Sequence, residues 1–395
     1  MPHAVPPAIE RVARDVFGFS ELRPGQREAV EAIVAGRDTL AVMSTGYGKS
    51  AIYQIAALMI PGPTVVVSPL IALQRDQISE LERQGAGGAA GINSTIPDSE
   101  RSNTLERLGD DSLEFIFMSP EQLSNEDLLR ELADAKPSLM VVDEAHCISE
   151  WGHDFRPDYL RLGAVAGILG RPPILALTAT AAPPVREEIV SRLGMDDPLV
   201  LVRGFNRENI WLGVETFRRE RDKKEALIER VHQTEKPGIV YVATRKRAEE
   251  MARELADAGL SAAAYHAGLR ATERAATQEA FMNDHLDVIV ATTAFGMGVD
   301  KANVRFVFHY EISESVDSLY QELGRSGRDG LPARATLFYR TEDLGIRRFF
   351  AGGGQVDGDQ IRVVAAVVDR ADGPVDAVEL GEATNLSQTK LITAV

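Results

Sequence analysis

The 395-residue chain is 44% hydrophobic and 26% charged, with a formal net charge of −16 at pH 7, an ordinary balance for a soluble chain of two or three domains. A single cysteine, Cys147, excludes internal disulfides and any multi-cysteine zinc site, and no stretch approaches a membrane-spanning apolar run. The acidic excess argues against a non-specific nucleic-acid binder, but it allows a protein that grips a few phosphates in one groove with amides, hydroxyls and selected cations.

The start, Met1-Pro2-His3-Ala4-Val5, lacks the basic and apolar blocks of a signal peptide, so cytoplasmic residence with no membrane partner is expected. Residues 8–18 space Ile9, Val12, Val16 and Phe17 as one side of an amphipathic helix. Phe19-Ser20-Glu21-Leu22-Arg23-Pro24-Gly25-Gln26 follows. Its aromatic ring can stack on adenine and its glutamine amide matches the base edge; taken alone, the run is equally a packing corner with a Pro-Gly turn. Thr39–Met43 then forms a strand, Ser44-Thr45-Gly46-Tyr47-Gly48-Lys49-Ser50 a loop, and Ala51 opens a helix. Strand, glycine loop and helix in that order make a phosphate cradle. The amides of Thr45, Gly46, Tyr47 and Gly48 and the helix N-terminus face the phosphates. Lys49 supplies a point charge to the terminal phosphates and Ser50 a magnesium ligand.

Thr64–Ser68 is a core strand running into Pro69, and Glu114–Met118 repeats the design before Ser119-Pro120-Glu121. Leu139-Met140-Val141-Val142 reads as a buried strand. It delivers Asp143-Glu144-Ala145-His146 at the strand end where parallel sheets bind ligands. Asp143 can hold magnesium and Glu144 can polarise a water, with His146 in the same box; four letters alone also fit a solvated acidic turn. Cys147 reads as a small packing residue. Next come Trp151, His153, Phe155 and Arg156, separated by glycine and aspartate, a composition suited to base stacking, although an isolated tryptophan would read as a buried anchor. Ile174–Leu177 closes the first sheet, and Thr178 and Thr180 at its tip offer a hydroxyl pair to the acidic box.

Residues 199–212 read as the crossover into a second α/β unit. Gly238–Val242 is a strand and Thr244-Arg245-Lys246-Arg247 opens a helix. A basic helix start is unfavourable unless phosphate sits there; on charge alone, DNA contact and a solvated turn are equally compatible. Ala264–Gly268 contains His266, and the strand Asp287–Ala291 delivers Thr292, Thr293 and a glycine-flanked methionine before Asp300. In Gln321-Glu322-Leu323-Gly324-Arg325-Ser326-Gly327-Arg328, two arginines three apart are expected on one helical face, suited to clamping phosphate charge, with Gln321 able to orient a water or reach the γ-phosphate. Ala335–Tyr339 ends the second sheet, and Ala351-Gly352-Gly353-Gly354 reads as a flexible linker. Gln360–Arg370, Val375–Ala383 and Gln388–Val395, the last capped by Ser387, are three expected helices in the order of a helix-turn-helix or winged-helix unit. A helical tail packed on the preceding domains is the equal alternative.

The loop at 44–50 and the acidic box at 143–146 together resemble the superfamily 2 DEAH-type helicases. Trp151-Gly152-His153-Asp154-Phe155-Arg156 is similar, nearly residue for residue, to the aromatic-rich loop of the RecQ family. The resemblance covers residues 8–345. It implies an α/β fold of two tandem RecA-like domains with parallel sheets, residues 1–203 and 204–345, followed by a linker and short helical segment at 346–395. It also implies ATP and Mg2+ in the cleft between the domains. Phe19 would then lie on the adenine with Arg23 and Gln26 nearby, the Tyr47 ring would turn from the phosphates, and Asp300 would face the nucleotide. Ser68 and Pro69 would track single-stranded DNA, with Thr244, His266, Thr292 and Thr293 on the same path. Trp151, His153, Phe155 and Arg156 would sense DNA and signal to hydrolysis. Arg328 would be the arginine finger and Arg325 its γ-phosphate companion. The implied activity is 3′-to-5′ DNA unwinding in repair or recombination by a monomer acting on single-stranded DNA and single-strand/duplex junctions. Family members usually carry a four-cysteine zinc module after the second domain. No cysteine follows Cys147, so zinc is not expected and a translocase that separates strands weakly is the alternative. A scaffold without turnover is disfavoured by the intact Lys49, Asp143, Glu144 and Arg328.

Overall fold

The structure is a computed structural model and describes residues 6–93, 96–110, 112–149, 155–204, 206–296, 301–345, 358–369 and 377–384. The expectations for Trp151, His153, Asp300, the 351–354 linker, Ser387 and the third C-terminal helix lie outside them.

Two parallel sheets organise the chain. The first is seven-stranded, in the order β3-β4-β2-β5-β6-β1-β7. Its strands are β1 (Thr39–Met43), β2 (Thr64–Val67), β3 (Ala89–Ile92), β4 (Phe115–Met118), β5 (Leu139–Val142), β6 (Ile174–Thr178) and β7 (Leu199–Arg203). Short apolar runs rich in valine and isoleucine suit such a sheet, because a parallel sheet buries both faces under helices. Alternation along each strand divides the core accordingly. Leu40, Val42, Met140 and Val142 pack on one side, and Ala41, Met43, Leu139 and Val141 on the other.

The second sheet is six-stranded, in the order β10-β11-β9-β12-β13-β8. It contains β8 (Ile210–Thr216), β9 (Gly238–Tyr241), β10 (Ala262–Tyr265), β11 (Val288–Ala291), β12 (Phe306–His309) and β13 (Ala333–Tyr339). Val240, Val290 and Phe308 face one core, and Ile239, Ile289 and Val307 the other. The expected crossover at 199–212 is two edge strands. β7 pairs with β1 of the first sheet, and β8 pairs with β13 of the second. Residues 204–209 join them.

Beyond β13, helices Gly358–Val368 and Ala377–Thr384 match the first two expected C-terminal helices within a few residues and pack on each other. No described helix is long and apolar enough to cross a membrane.

The end of β13 is anchored by an ion pair inside the second domain. Lys223, fully buried on helix Glu220–Gln233, donates to Asp343 Oδ2 at 2.7 Å and lies 4.1 Å over the Tyr310 ring. Lys223→Ala would strand a buried carboxylate, so a loss of about 3–5 kcal/mol is expected. Urea unfolding of the purified variant checks this, and a change under about 1 kcal/mol would contradict it.

Candidate active site

Strands β5, β6 and β1 are neighbours, so their C-terminal ends bring the acidic box, Thr178 and the glycine loop together. In the loop, Gly46 and Gly48 have φ of +75° and +85°, a region that favours glycine. The loop carbonyls are turned outward. Thr45 O accepts from Arg207 Nη1 at 3.0 Å and Gly46 O from Arg23 Nη1 at 2.6 Å. Tyr47 O and Gly48 O accept from Gln26 Nε2 at 3.2 and 2.8 Å. Outward carbonyls are what an anion-binding nest of backbone amides requires.

Arg23 and Gln26 are thus fastened to the loop itself, and Arg23 N donates to Gln26 Oε1 at 2.7 Å. The Tyr47 hydroxyl donates to Pro24 O at 3.0 Å, and its ring lies so close over Gly204 that a Cβ there would be 2.3 Å from Tyr47 Cδ2. The ring therefore packs on the connector. Phe19 is 36% exposed and stacks on Phe17 with centroids 5.9 Å apart.

Lys49 opens helix Lys49–Ala57, and its Nζ donates to Met43 O at 2.9 Å. Burial pushes its pKa down, Glu144 and Asp143 push it back up, and Arg328 lowers it further. Four residues from three distant stretches of the sequence therefore share one electrostatic site. Ser50 Oγ accepts from Gln77 Nε2 at 3.5 Å.

Asp143 is buried. Its Oδ1 accepts from Glu144 N at 3.0 Å and its Oδ2 from Ser68 Oγ at 3.4 Å, while Tyr159 donates to its carbonyl at 2.9 Å. Burial first, then Glu144, pushes the Asp143 carboxyl well above its ordinary range, and Lys49 opposes the shift. A divalent cation would reverse that balance, and Asp143 with Ser50 supplies the hard oxygen donors magnesium favours. Glu144 has φ +48°, a left-handed conformation costly for a residue with a side chain and found where structure over-determines it. Its Oε2 is buried without a hydrogen-bond partner and lies 3.4 Å from His146 Nδ1. His146 Nδ1 meets Thr178 Oγ1 at 2.9 Å, and the Thr178 hydroxyl donates to Thr180 O at 2.9 Å. Thr178 thus meets the acidic box with its hydroxyl, and Thr180 holds that hydroxyl with its backbone.

The second sheet contributes from across the cleft. Helix Val316–Leu323 ends at Gly324, so Arg325 and Arg328 do not share a helical face as expected. They lie on the turn after it, where Gly327 takes φ +57°. The turn sends them different ways. Arg325 is buried, its charge near enough to Tyr241 to oppose the burial that pushes that phenol's pKa up, and its Nη2 is 3.6 Å from where a Gly296 Cβ would stand. Arg328 reaches the loop, its Cγ 3.2 Å from the Cβ position of Gly46. Gln321 Nε2 is buried without a hydrogen-bond partner.

The residues expected on the DNA path are less open. Ser68, Pro69 and His266 are buried. Ser68 serves Asp143, and His266 Nε2 lies 3.2 Å from Glu249 Oε1. Thr244 caps helix Arg245–Asp257. That helix's basic start is met by carboxylates, Arg247 pairing with Glu220 at 3.1 Å and Glu311 at 3.6 Å. Thr292 and Phe155 are half-buried, and Thr293 is exposed. Arg156 Nη1 donates to Pro69 O at 3.3 Å.

Residues 23–189 match the DEAD/DEAH box helicase family and residues 222–330 the helicase conserved C-terminal domain. The chain is 42% identical over 347 residues to ATP-dependent DNA helicase RecQ of Pasteurella multocida (strain Pm70), covering 86% of this chain and 54% of that protein. It is 38% identical over 365 residues to a probable ATP-dependent DNA helicase, RecS, of Bacillus subtilis (strain 168), covering 92% of this chain and 73% of that protein. The chain belongs to the RecQ family. It spans about half the length of the RecQ proteins it matches, 54% and 56% in two further bacterial cases. The RecQ-type sheets have the RecA-like helicase fold. Mycobacterium smegmatis helicase Lhr bound to ssDNA and AMP-PNP superposes with a TM-score of 0.66 at 23% identity over 96% of this chain and 55% of that one. S. cerevisiae Dbp5 bound to RNA and ADP BeF3 gives 0.66 at 18% identity over 93% and 97%.

Sequence reasoning about this RecQ-family chain missed Arg207 and Asn209. Both sit in a stretch read only as a crossover, although Asn206-Arg207-Glu208-Asn209 is an unusually polar run for a passive connector.

Proposed function

We propose that this chain is the motor core of an ATP-dependent DNA helicase. It would hydrolyse ATP between its two RecA-like domains and move 3′-to-5′ along single-stranded DNA to open duplex junctions. The observation that carries this reading is Arg328 of the second domain lying against Gly46 of the phosphate loop in the first. The loop amides and Lys49 bind the triphosphate. Glu144 Oε2, a buried acceptor without a hydrogen-bond partner, takes the proton of the attacking water, and His146 and Thr178 hold that corner. Gln321 orients the water from the other side. Arg328 balances charge developing on the transferred phosphoryl group, and Arg325 supports the turn from within the second domain. Magnesium, held by Ser50 and Asp143, would neutralise phosphate charge. Phe19 stacks on the base.

Closing and reopening of this cleft shifts the domains against each other along a DNA face that includes Phe155, Arg156, Thr292 and Thr293. Because Arg156 donates to Pro69 O and the adjacent Ser68 donates to Asp143 Oδ2, DNA contact can reach the acidic box through two hydrogen bonds. One chain supplies both halves of the pocket, so a monomer suffices.

The test is steady-state ATP hydrolysis against single-stranded DNA concentration, with a forked duplex in parallel. Saturable stimulation together with unwinding of the fork supports the proposal. Stimulation without strand separation leaves a translocase, and equal stimulation by RNA sinks the DNA preference.

A further inference from the structure

Arg207 stands in the connector between the domains, and its guanidinium touches both. Nη1 donates to Thr45 O of the phosphate loop at 3.0 Å. Nη2 donates to Ser326 O at 3.2 Å and Gly327 O at 2.9 Å, on the turn that carries Arg328. All three acceptors are neutral backbone carbonyls. Burial lowers the Arg207 pKa, and Arg328 lowers it further. A half-buried cation beside a like charge is unfavourable in itself, and a neutral amide could satisfy the carbonyls of one domain. The planar fork of an arginine can serve carbonyls of two domains at once, which an asparagine or a lysine cannot do with the same geometry.

Two neighbours sharpen the placement. Asn209 Nδ2 donates to the same Gly327 O at 2.7 Å and to Leu331 O at 2.9 Å, and its carbonyl accepts from Ala333 N at 2.8 Å. Those bonds stay inside the second domain and fix the turn's base. Gly327 has to be glycine there, because a Cβ would stand 2.4 Å from Asn209 Nδ2. Gly46 lies between the two cations, its Cβ position 3.2 Å from Arg328 Cγ and 3.7 Å from Arg207 Nη1. The connector, the loop and the arginine turn therefore meet at one glycine.

We infer that Arg207 is a positioning residue for hydrolysis: it ties the phosphate loop to the arginine turn and so sets how far Arg328 reaches across the cleft. The inference rests on the ATP site proposed above. The Arg207 bridge exists only while Thr45 O and Gly327 O stand within one guanidinium of each other, so it belongs to the closed arrangement of the domains and breaks when they part. It meets the phosphate loop at the outward Thr45 carbonyl, not at the amides assigned to the phosphates. Its loss should therefore slow turnover and leave nucleotide affinity in place.

The experiment is ATP hydrolysis at saturating single-stranded DNA for the wild type, Arg207→Ala, Arg207→Lys, Arg328→Ala and the Arg207→Ala/Arg328→Ala double variant. Each is also titrated with a fluorescent ADP analogue. Wild-type protein without DNA-stimulated hydrolysis would overturn the ATP-site reading itself, before any variant is considered. Given that activity, Arg207→Ala is expected to lower kcat about 10- to 100-fold, the cost of a misplaced catalytic group. Its affinity for the ADP analogue should change less than about threefold, the pattern of an interaction made only in the transition state. Arg207→Lys should fail with it, since one ammonium cannot span the domains. In the Arg328→Ala background the same substitution should cost less than about twofold more, because it acts through Arg328. Millimolar guanidinium should restore part of the Arg207→Ala rate, which a folding defect would not allow. Unchanged kcat in Arg207→Ala, full activity in Arg207→Lys, losses that multiply in the double variant, or affinity for the ADP analogue that falls in step with kcat would each overturn the inference.

Discussion

Arg328→Ala is expected to lower the ATP hydrolysis rate about 10³-fold, the lower end of what an arginine finger supplies to phosphoryl transfer. The side chain starts on the second domain and ends against Gly46 of the first, close enough to lower the pKa of Lys49. Its charge therefore falls where the terminal phosphates would lie. The effect should appear in kcat, since binding of the triphosphate is assigned to the loop and Lys49. Arg325→Ala separates the two arginines. Arg325 is 6% exposed, beside Tyr241, so its removal should cost stability of the second domain as well as rate. Steady-state kinetics with thermal melting of both variants check this. An Arg328→Ala enzyme within about threefold of wild type would remove the finger.

Lys49→Ala is expected to abolish measurable turnover, a loss of at least about 10²- to 10³-fold for one preorganised charge, and to weaken ATP binding too. Folding stability should hold or rise. Burial is the largest influence on Lys49 and pushes its pKa down, against Glu144 and Asp143, which push it up, so placing an ammonium there is unfavourable in itself. A residue that destabilises its surroundings while facing Asp143 and Glu144 is characteristic of a functional site. Retained hydrolysis in this variant would refute the phosphate cradle, and a collapse in melting temperature would make Lys49 structural.

Contiguous motifs were legible in the sequence because each is a strand followed by a turn with demanding chemistry. Ser44–Ser50 and Asp143–His146 sit at strand ends where parallel sheets place ligands, and the strands are apolar runs with little ambiguity. Of the expected hydroxyl pair, Thr178 meets His146 of the acidic box with its hydroxyl, whereas Thr180 contributes its backbone carbonyl and amide to Thr178. The helical face expected for Arg325 and Arg328 is absent because the helix stops at Gly324, before either arginine. The burial of Ser68 and His266 was not legible, because a motif's place in order says nothing about which side its side chain takes. Arg207 and Asn209 escaped for a different reason. They act on backbone carbonyls 162, 119, 120, 118 and 122 residues away, and no local pattern marks a side chain that recognises distant backbone.

The most direct measurement of the two-domain pocket is retention of ADP with aluminium fluoride, which mimics the phosphoryl group in transfer, compared with ADP alone. Wild-type protein should hold the ADP–fluoride complex far more tightly than ADP, Arg328→Ala should lose that difference, and both should bind plain ADP alike. Equal retention of the complex by the two proteins would mean that the second domain contributes no charge to the reacting phosphate.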